Sequence, residues 1–202
     1  MTKKFIILIG AGGHARSCID VIKSRKEYTI HGLIGLISEL DSEISGQRVI
    51  GTEDNLEEVV KSCSNAVVAI GQIKSPNLRA RIFEELKEIG FQMPVLISPY
   101  AYVSPDSIIG EGTIIMHGAI VNAGAKIGSN CILNSSSLVE HDVVVGDNCH
   151  ISTSVVLNGG AHIRSGSFIG SGSIVQEHAE IASFSVIPMG AHIFREAKTR
   201  KV

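Results

Sequence analysis

The chain has 202 residues, 44% of them apolar and 19% charged, with 18 Lys and Arg set against 20 Asp and Glu. That length and apolar share suffice for one globular domain or two small ones, and a net charge of -2 leaves no surplus of basic side chains to neutralise a nucleic-acid backbone or an anionic membrane. The four cysteines, Cys18, Cys63, Cys131 and Cys149, form no CxxC pair, which argues against a thiolate metal site or redox motif and for reduced, packed thiols.

The opening MTKKFIILIG has the basic start of a secretory signal, but its apolar run ends after five residues at Gly10, too soon for one. We expect instead the first strand of a cytoplasmic protein. No segment approaches the roughly 20 apolar residues of a membrane span. Phe5 to Ile9 suits a buried parallel strand, and Cys18, Ile19 and Ile22 then follow helical spacing. A second strand is expected near Ile30 to Leu36, a second helix at Leu56, Val59 and Val60, and a third strand over Ala66 to Ile70. Ser75-Pro76 opens another helix, since serine can cap it and proline is tolerated at its first position. Leu78, Ile82, Phe83, Leu86 and Ile89 should face inward before Gly90 stops it. This alternation predicts a small Rossmann-like βαβ domain over residues 1–92.

From residue 97 the period changes to six. Ile97, Val103, Ile109, Ile115, Val121, Ile127, Leu133 and every sixth residue onward to Ile187 are aliphatic, sixteen positions without a gap. Four residues after each stands a small side chain, Cys131 and Cys149 among them. Three residues after each, eleven of the sixteen positions hold Gly, Asn or Asp, types that tolerate positive φ, so a sharp corner should recur there. A hexapeptide repeat of this kind predicts an all-β parallel β-helix over residues 93–202, with coils about 4.8 Å apart.

His141 stands in VEHDVV between Glu140 and Asp142, just before a corner and therefore pointing outward. With 18 residues per coil its stacked neighbours are Ala123 and Gly159, which leave the imidazole room. Imidazole accepts a proton near neutral pH, and an adjacent carboxylate fixes its tautomer and stabilises its cation. Either Glu140 or Asp142 can do so, and Asp142 has a second explanation as a corner residue.

GAGGHAR at 10–16, VVAIG at 67–71, LNSSSLVEHD at 133–142 and HIS at 150–152 resemble the hexapeptide-repeat sugar O- and N-acetyltransferases, the group containing sialic-acid O-acetyltransferases and bacillosamine-type UDP-4-amino-sugar N-acetyltransferases. The resemblance covers nearly the whole chain. It implies a left-handed β-helix, acetyl-CoA as co-substrate without a metal, and a homotrimer with active sites between subunits. It further implies that His141 is the general base and Asp142 raises its basicity, while His150 lies near the thioester. The coil backbone around Ser171 and Met189 would line the pantetheine channel; Gly12, Gly13 and His14 would meet the sugar nucleotide, with Gly71 in the same cleft. The expected reaction is acetylation of the amino group of a UDP-linked amino sugar for surface glycan, or of a hydroxyl of sialic acid or a related nonulosonic acid.

Some features depart from neighbouring patterns. GAGGHA lacks the last glycine of GxGxxG and the second strand ends without the acid that binds an NAD ribose, which argues against a nicotinamide dehydrogenase. Gly35 and Leu36 replace the acids that UDP-amino-sugar enzymes carry after that strand, and VIPMGAHIF replaces a valine-proline-alanine segment. The closing REAKTRKV could meet coenzyme A phosphates or simply be solvated. A zinc hydratase of the γ-carbonic-anhydrase type shares only the repeat, because no two of the eight histidines are spaced H-x4-H. A sugar-nucleotide binder without catalysis is the third reading.

Overall fold

The computed structural model describes residues 4–194; the REAKTRKV segment lies outside the described residues. The N-terminal half runs β1 (Lys4–Ile9), α1 (Gly13–Arg25), β2 (Tyr28–Ile34), β3 (Glu43–Ile44), β4 (Gln47–Gly51), α2 (Leu56–Ser62), β5 (Ala66–Val68) and α3 (Asn77–Ile89). Its sheet has the order β3-β4-β2-β1-β5, all pairs parallel except the β3–β4 hairpin. Strand order therefore reverses at β1, between β2 and β5, which opens a crevice at the carboxyl ends of those strands. Ile6, Ile7, Leu8 and Ile9 are buried as a continuous apolar run requires, whereas Phe5, expected inside, is half exposed at the strand's start.

The β3–β4 hairpin has no counterpart in the sequence reading. Gln47–Gly51 carries only Val49 as a fully buried apolar side chain, too short an alternation to register as a strand. In α3, Ile82, Phe83 and Leu86 are buried as expected. Leu78 is not: it is half exposed and lies at the crevice. The buried residue of that turn is Arg79. Ser75 Oγ accepts the Asn77 N–H at 3.2 Å, and Gly90 ends the helix in the left-handed conformation with φ 103°.

Residues 96–193 form seventeen two-residue strands, β6 to β22, starting at Leu96–Ile97 and recurring every six residues to His192–Ile193. They stack into three parallel sheets, the faces of a triangular left-handed β-helix, in which each residue pairs with the one 18 later, as Ile120 with Leu138 and Ile132 with His150. The second residue of each strand points inward, and from Ile115 to Ile181 all twelve are at most 5% exposed. Burying one such aliphatic contributes about 2 kcal/mol, repeated at every rung. All fourteen corner residues from Gly112 to Gly190 have φ between 53° and 76°. The corner thus recurs even where Ser136, Ser154, His178 and Phe184 replace the residue types that favour it, because pairing with the coils above and below outweighs a local cost of about 1–2 kcal/mol.

One face holds Tyr102, Ile120, Leu138, Val156, Ile174 and His192 as outward residues, an apolar row partly or largely exposed. A second holds Ile108, Lys126, Val144, His162 and Glu180. The third holds Leu96, Ile114, Ile132, His150, Phe168 and Val186, and α1 packs on its start: Cys18, Ile19 and Ile22 share one core with Leu96, Ile114 and Met116. His117 adds a polar tie, bonding Asp20 through Nε2 at 2.9 Å and Ser98 Oγ through Nδ1 at 2.5 Å. No helix among the described residues is long and apolar enough to cross a membrane.

Candidate active site

His141 lies on the corner between β13 (Leu138–Val139), on the apolar face, and β14 (Val144–Val145), on the second face. Its side chain is 64% exposed. Asp142 Oδ2 lies 2.9 Å from His141 Nδ1; a carboxylate can only accept, so Nδ1 carries the proton and Nε2 keeps its lone pair. The hydrogen bond to Asp142 raises the imidazole pKa above its ordinary value, with smaller contributions from the charges of Asp142 and Glu140. Glu140 is held elsewhere, accepting the Asn122 amide at 2.9 Å. Of the two flanking acids, therefore, Asp142 is the one in contact.

The stacking expected from the sequence is present: Asp142 N–H donates to Ala123 O at 3.1 Å and Gly160 N–H to His141 O at 3.0 Å. Glycines make the space for both side chains. A methyl group on Gly159 would fall 2.6 Å from His141 Nε2, and one on Gly124 would fall 2.5 Å from Asp142 Oδ1. Ala123 and Gly159 were legible by counting 18; Gly124, one coil below Asp142, follows from the same count and was missed.

His150 begins β15 (His150–Ile151) on the third face, the face opposite the corner that carries His141. It is buried beneath the loop after β5, where Gln72 O accepts its Nδ1–H at 2.6 Å. Nε2 is then an acceptor, met by the Asn134 amide at 3.2 Å, and the Phe168 ring packs edge-on at 5.2 Å. Burial pushes its pKa down to about 4, so it is neutral at physiological pH and offers no Nε2–H donor. Asn134 and Gln72 carried no signal in the sequence beyond lying near other marked residues.

Gly12, Gly13, His14 and Gly71 come together in one crevice. With Gly10, Ala11, Ile34, Gly35, Leu36, Glu39, Glu53, Ile70 and Leu78 among others they line a crevice of about 330 Å³ at the carboxyl ends of β1, β2 and β5. Gly12 is the N-cap of α1, with no side-chain cap and no acid in the first turn, so the helix presents free N–H groups and a positive dipole end there. His14 is held neutral, its pKa lowered to about 3 by burial and then by the Arg79 and His150 charges. Ser171 and Met189 sit on the corners joining the third face to the apolar one; Ser171 Oγ bonds Ser152 Oγ at 2.8 Å, and Met189 is 79% exposed.

The expected site residues thus fall into two groups. His14, Gly71 and His150 cluster where the N-terminal half meets the third face, with Ser171 and Met189 on its border. His141 and Asp142 stand on the far edge of the triangle and do not line the crevice. All four cysteines are free and buried, and burial pushes the Cys18 thiol up to about 12 and raises that of Cys131, which leaves neither a ready nucleophile. Among the described residues no group of three or more His, Cys, Asp or Glu could hold a metal ion.

Comparison with known proteins agrees with this architecture. The model of the PglD N-terminal domain matches residues 5–86, and that of the bacterial transferase hexapeptide (six repeats) matches residues 124–159. The acetyltransferase domain of PglB from Neisseria gonorrhoeae FA1090 is 30% identical, with a TM-score of 0.87 over 98% of this chain and 94% of that one. The same domain in complex with acetyl coenzyme A is 29% identical, with a TM-score of 0.85 over 95% and 93%. PerB from Caulobacter crescentus, in complex with CoA and GDP-perosamine, is 25% identical, with a TM-score of 0.66 over 95% and 94%. No curated protein matches the chain in sequence. A six-residue repeat wound into a triangular coil, a PglD N-terminal domain before it, and likeness along nearly the full length to a solved acetyltransferase domain together place this chain in the hexapeptide-repeat sugar acetyltransferase family.

Proposed function

We propose that the protein transfers the acetyl group of acetyl-CoA to the amino group of a nucleotide-linked amino sugar, UDP-linked in our reading, in the making of a surface glycan. Residues 1–92 hold the sugar nucleotide and residues 93–202 the coenzyme, in the cytoplasm. The observation that carries the reading is the His141–Asp142 pair, in which Nε2 is an unprotonated base facing open space over Gly159. His141 Nε2 takes the proton of the attacking nitrogen as the N–C bond forms at the thioester carbonyl. A nearby N–H donor holds the developing oxyanion. Collapse breaks the C–S bond, and the thiolate that leaves can take the proton back from the imidazolium.

In one chain the base and the crevice lie on opposite sides of the coil, so a second copy must bring them together. The apolar row of Ile120, Leu138, Val156 and Ile174 runs beside the His141 corner, which supports a homotrimer burying that face. The edge bearing His141 in one subunit then meets the side bearing His150, Ser171 and Met189 in its neighbour. Incubating the protein with acetyl-CoA and a panel of UDP- and GDP-linked amino sugars should yield, by mass spectrometry, a sugar heavier by one acetyl group. Release of coenzyme A without an acetylated amine, or acetylation of hydroxyls alone, would overturn the amine reading. Gly159→Ala should displace the imidazole, the movable partner of that clash, and lower kcat about 100-fold while the melting temperature stays at the wild-type value.

A further inference from the structure

The crevice is lined by an acid that caps its own turn and has accepting capacity to spare. Glu39 ends a 3-10 turn over Ile37–Glu39, and its carboxylate folds back so that Oε2 accepts the Leu36 N–H at 2.8 Å. Glu39 lines the crevice half-buried and has no cation partner among the described residues. Glu53, the other acid at the crevice, is already paired with Arg81 at 3.0 Å. A carboxylate has about four acceptor sites, and the Leu36 N–H uses one of those on Glu39.

Gly35 is what admits it. A methyl group there would lie 2.8 Å from Glu39 Oε2 and 3.1 Å from Val49 Cγ1, so a side chain at 35 and the carboxylate of Glu39 exclude one another. The absence of acids at Gly35 and Leu36 is therefore not the loss of an acceptor from the end of β2. The acceptor is delivered from four residues further on. The crevice is lined by groups of both signs: the uncapped start of α1 at Gly12 suits phosphate, and Glu39 suits donors. Leu36, Ile70 and Leu78 add apolar wall to the same crevice. An acid at the end of the second strand of such a sheet is placed to meet ribose hydroxyls when phosphate sits on the first helix.

We propose that Glu39 is a specificity-determining residue that accepts the vicinal 2′- and 3′-hydroxyls of the ribose of a nucleoside diphosphate. This rests on the nucleotide-sugar reading above and names the contact that reads the sugar nucleotide's ribose. Isothermal titration of the full chain, without coenzyme, with UDP and GDP and with their 2′-deoxy counterparts tests it. Wild type should bind a ribonucleotide about 10- to 100-fold more tightly than its 2′-deoxy form, the range expected for a hydrogen bond to a charged acceptor. Glu39→Ala should lose that preference by weakening only the ribonucleotide. Glu39→Gln, which can keep the Leu36 contact, should be intermediate. Equal binding of both forms by wild type, or a preference surviving in Glu39→Ala, overturns the assignment while leaving the nucleotide reading intact. If wild type binds no nucleoside diphosphate at all, the nucleotide reading itself fails and takes Glu39 with it.

Discussion

Replacing His141 by alanine should lower kcat by about two to four orders of magnitude, the usual contribution of a positioned general base, with KM for both substrates within a few-fold of wild type. The ring is largely exposed and touches only Asp142 and the space over Gly159, so its removal costs the ground-state complex little. The pH profile carries the sharper test. Only the unprotonated imidazole can act as base, and the Asp142 hydrogen bond raises its pKa above the ordinary 6.5. Activity should therefore rise with pH through that raised value, placing the acid limb above 6.5. Asp142→Asn removes the charge that favours the cation, so its acid limb should shift to lower pH while the plateau falls. A structural role for Asp142 would lower the plateau without moving the limb. His141→Ala retaining more than about a tenth of wild-type turnover would remove the base from the mechanism.

The β-helix was legible because one constraint recurs at every rung. Each coil interior accepts one aliphatic and one small side chain, and a sequence obeying that rule from Ile97 to Ile187 has no other stable way to bury them. His141 and its neighbours inherited their legibility from the same count, since 18 residues separate stacked positions. What the count does not carry is which side of the triangle meets the rest of the chain. His150 stands in the same outward position as Ile132 and Phe168, and the contact that covers it from outside the coil comes from Gln72 in the loop after β5. The placement of Glu39 was equally hidden. Its use of the space at Gly35 depends on a tight turn that the apolar pattern does not encode.

Arg79→Met should destabilise the fold by about 3 kcal/mol, more than any surface substitution, although it replaces a buried cation by an apolar chain of similar length. Arg79 is 1% exposed and has no carboxylate partner among the described residues; its guanidinium donates instead to Val68 O at 2.7 Å, Ile70 O at 2.5 Å, Asn130 Oδ1 at 2.8 Å and Asn130 O at 3.2 Å. Two effects compete. Removing the cation relieves its desolvation, which already holds its pKa down to about 10. Against that, four acceptors lose their donor, and each acceptor that stays buried costs about 1–3 kcal/mol. The second effect wins if even two of them stay dry, which their position between the end of β5 and the coil favours. Arg79→Lys should fall short as well, because an ammonium cannot span the two elements with a planar fork. For a chain this long the loss corresponds to about 6–12 °C in melting temperature, readable by thermal denaturation. Asn130→Gly keeps the left-handed corner at φ 53° and the backbone acceptor but removes the Oδ1 acceptor and the amide's own donations to Arg79 O at 3.3 Å and Asn148 Oδ1 at 2.8 Å, and it should cost about 2 kcal/mol. A melting temperature for Arg79→Met within a degree or two of wild type would mean that water replaces the guanidinium, and that the crevice floor is not fastened to the β-helix through this residue.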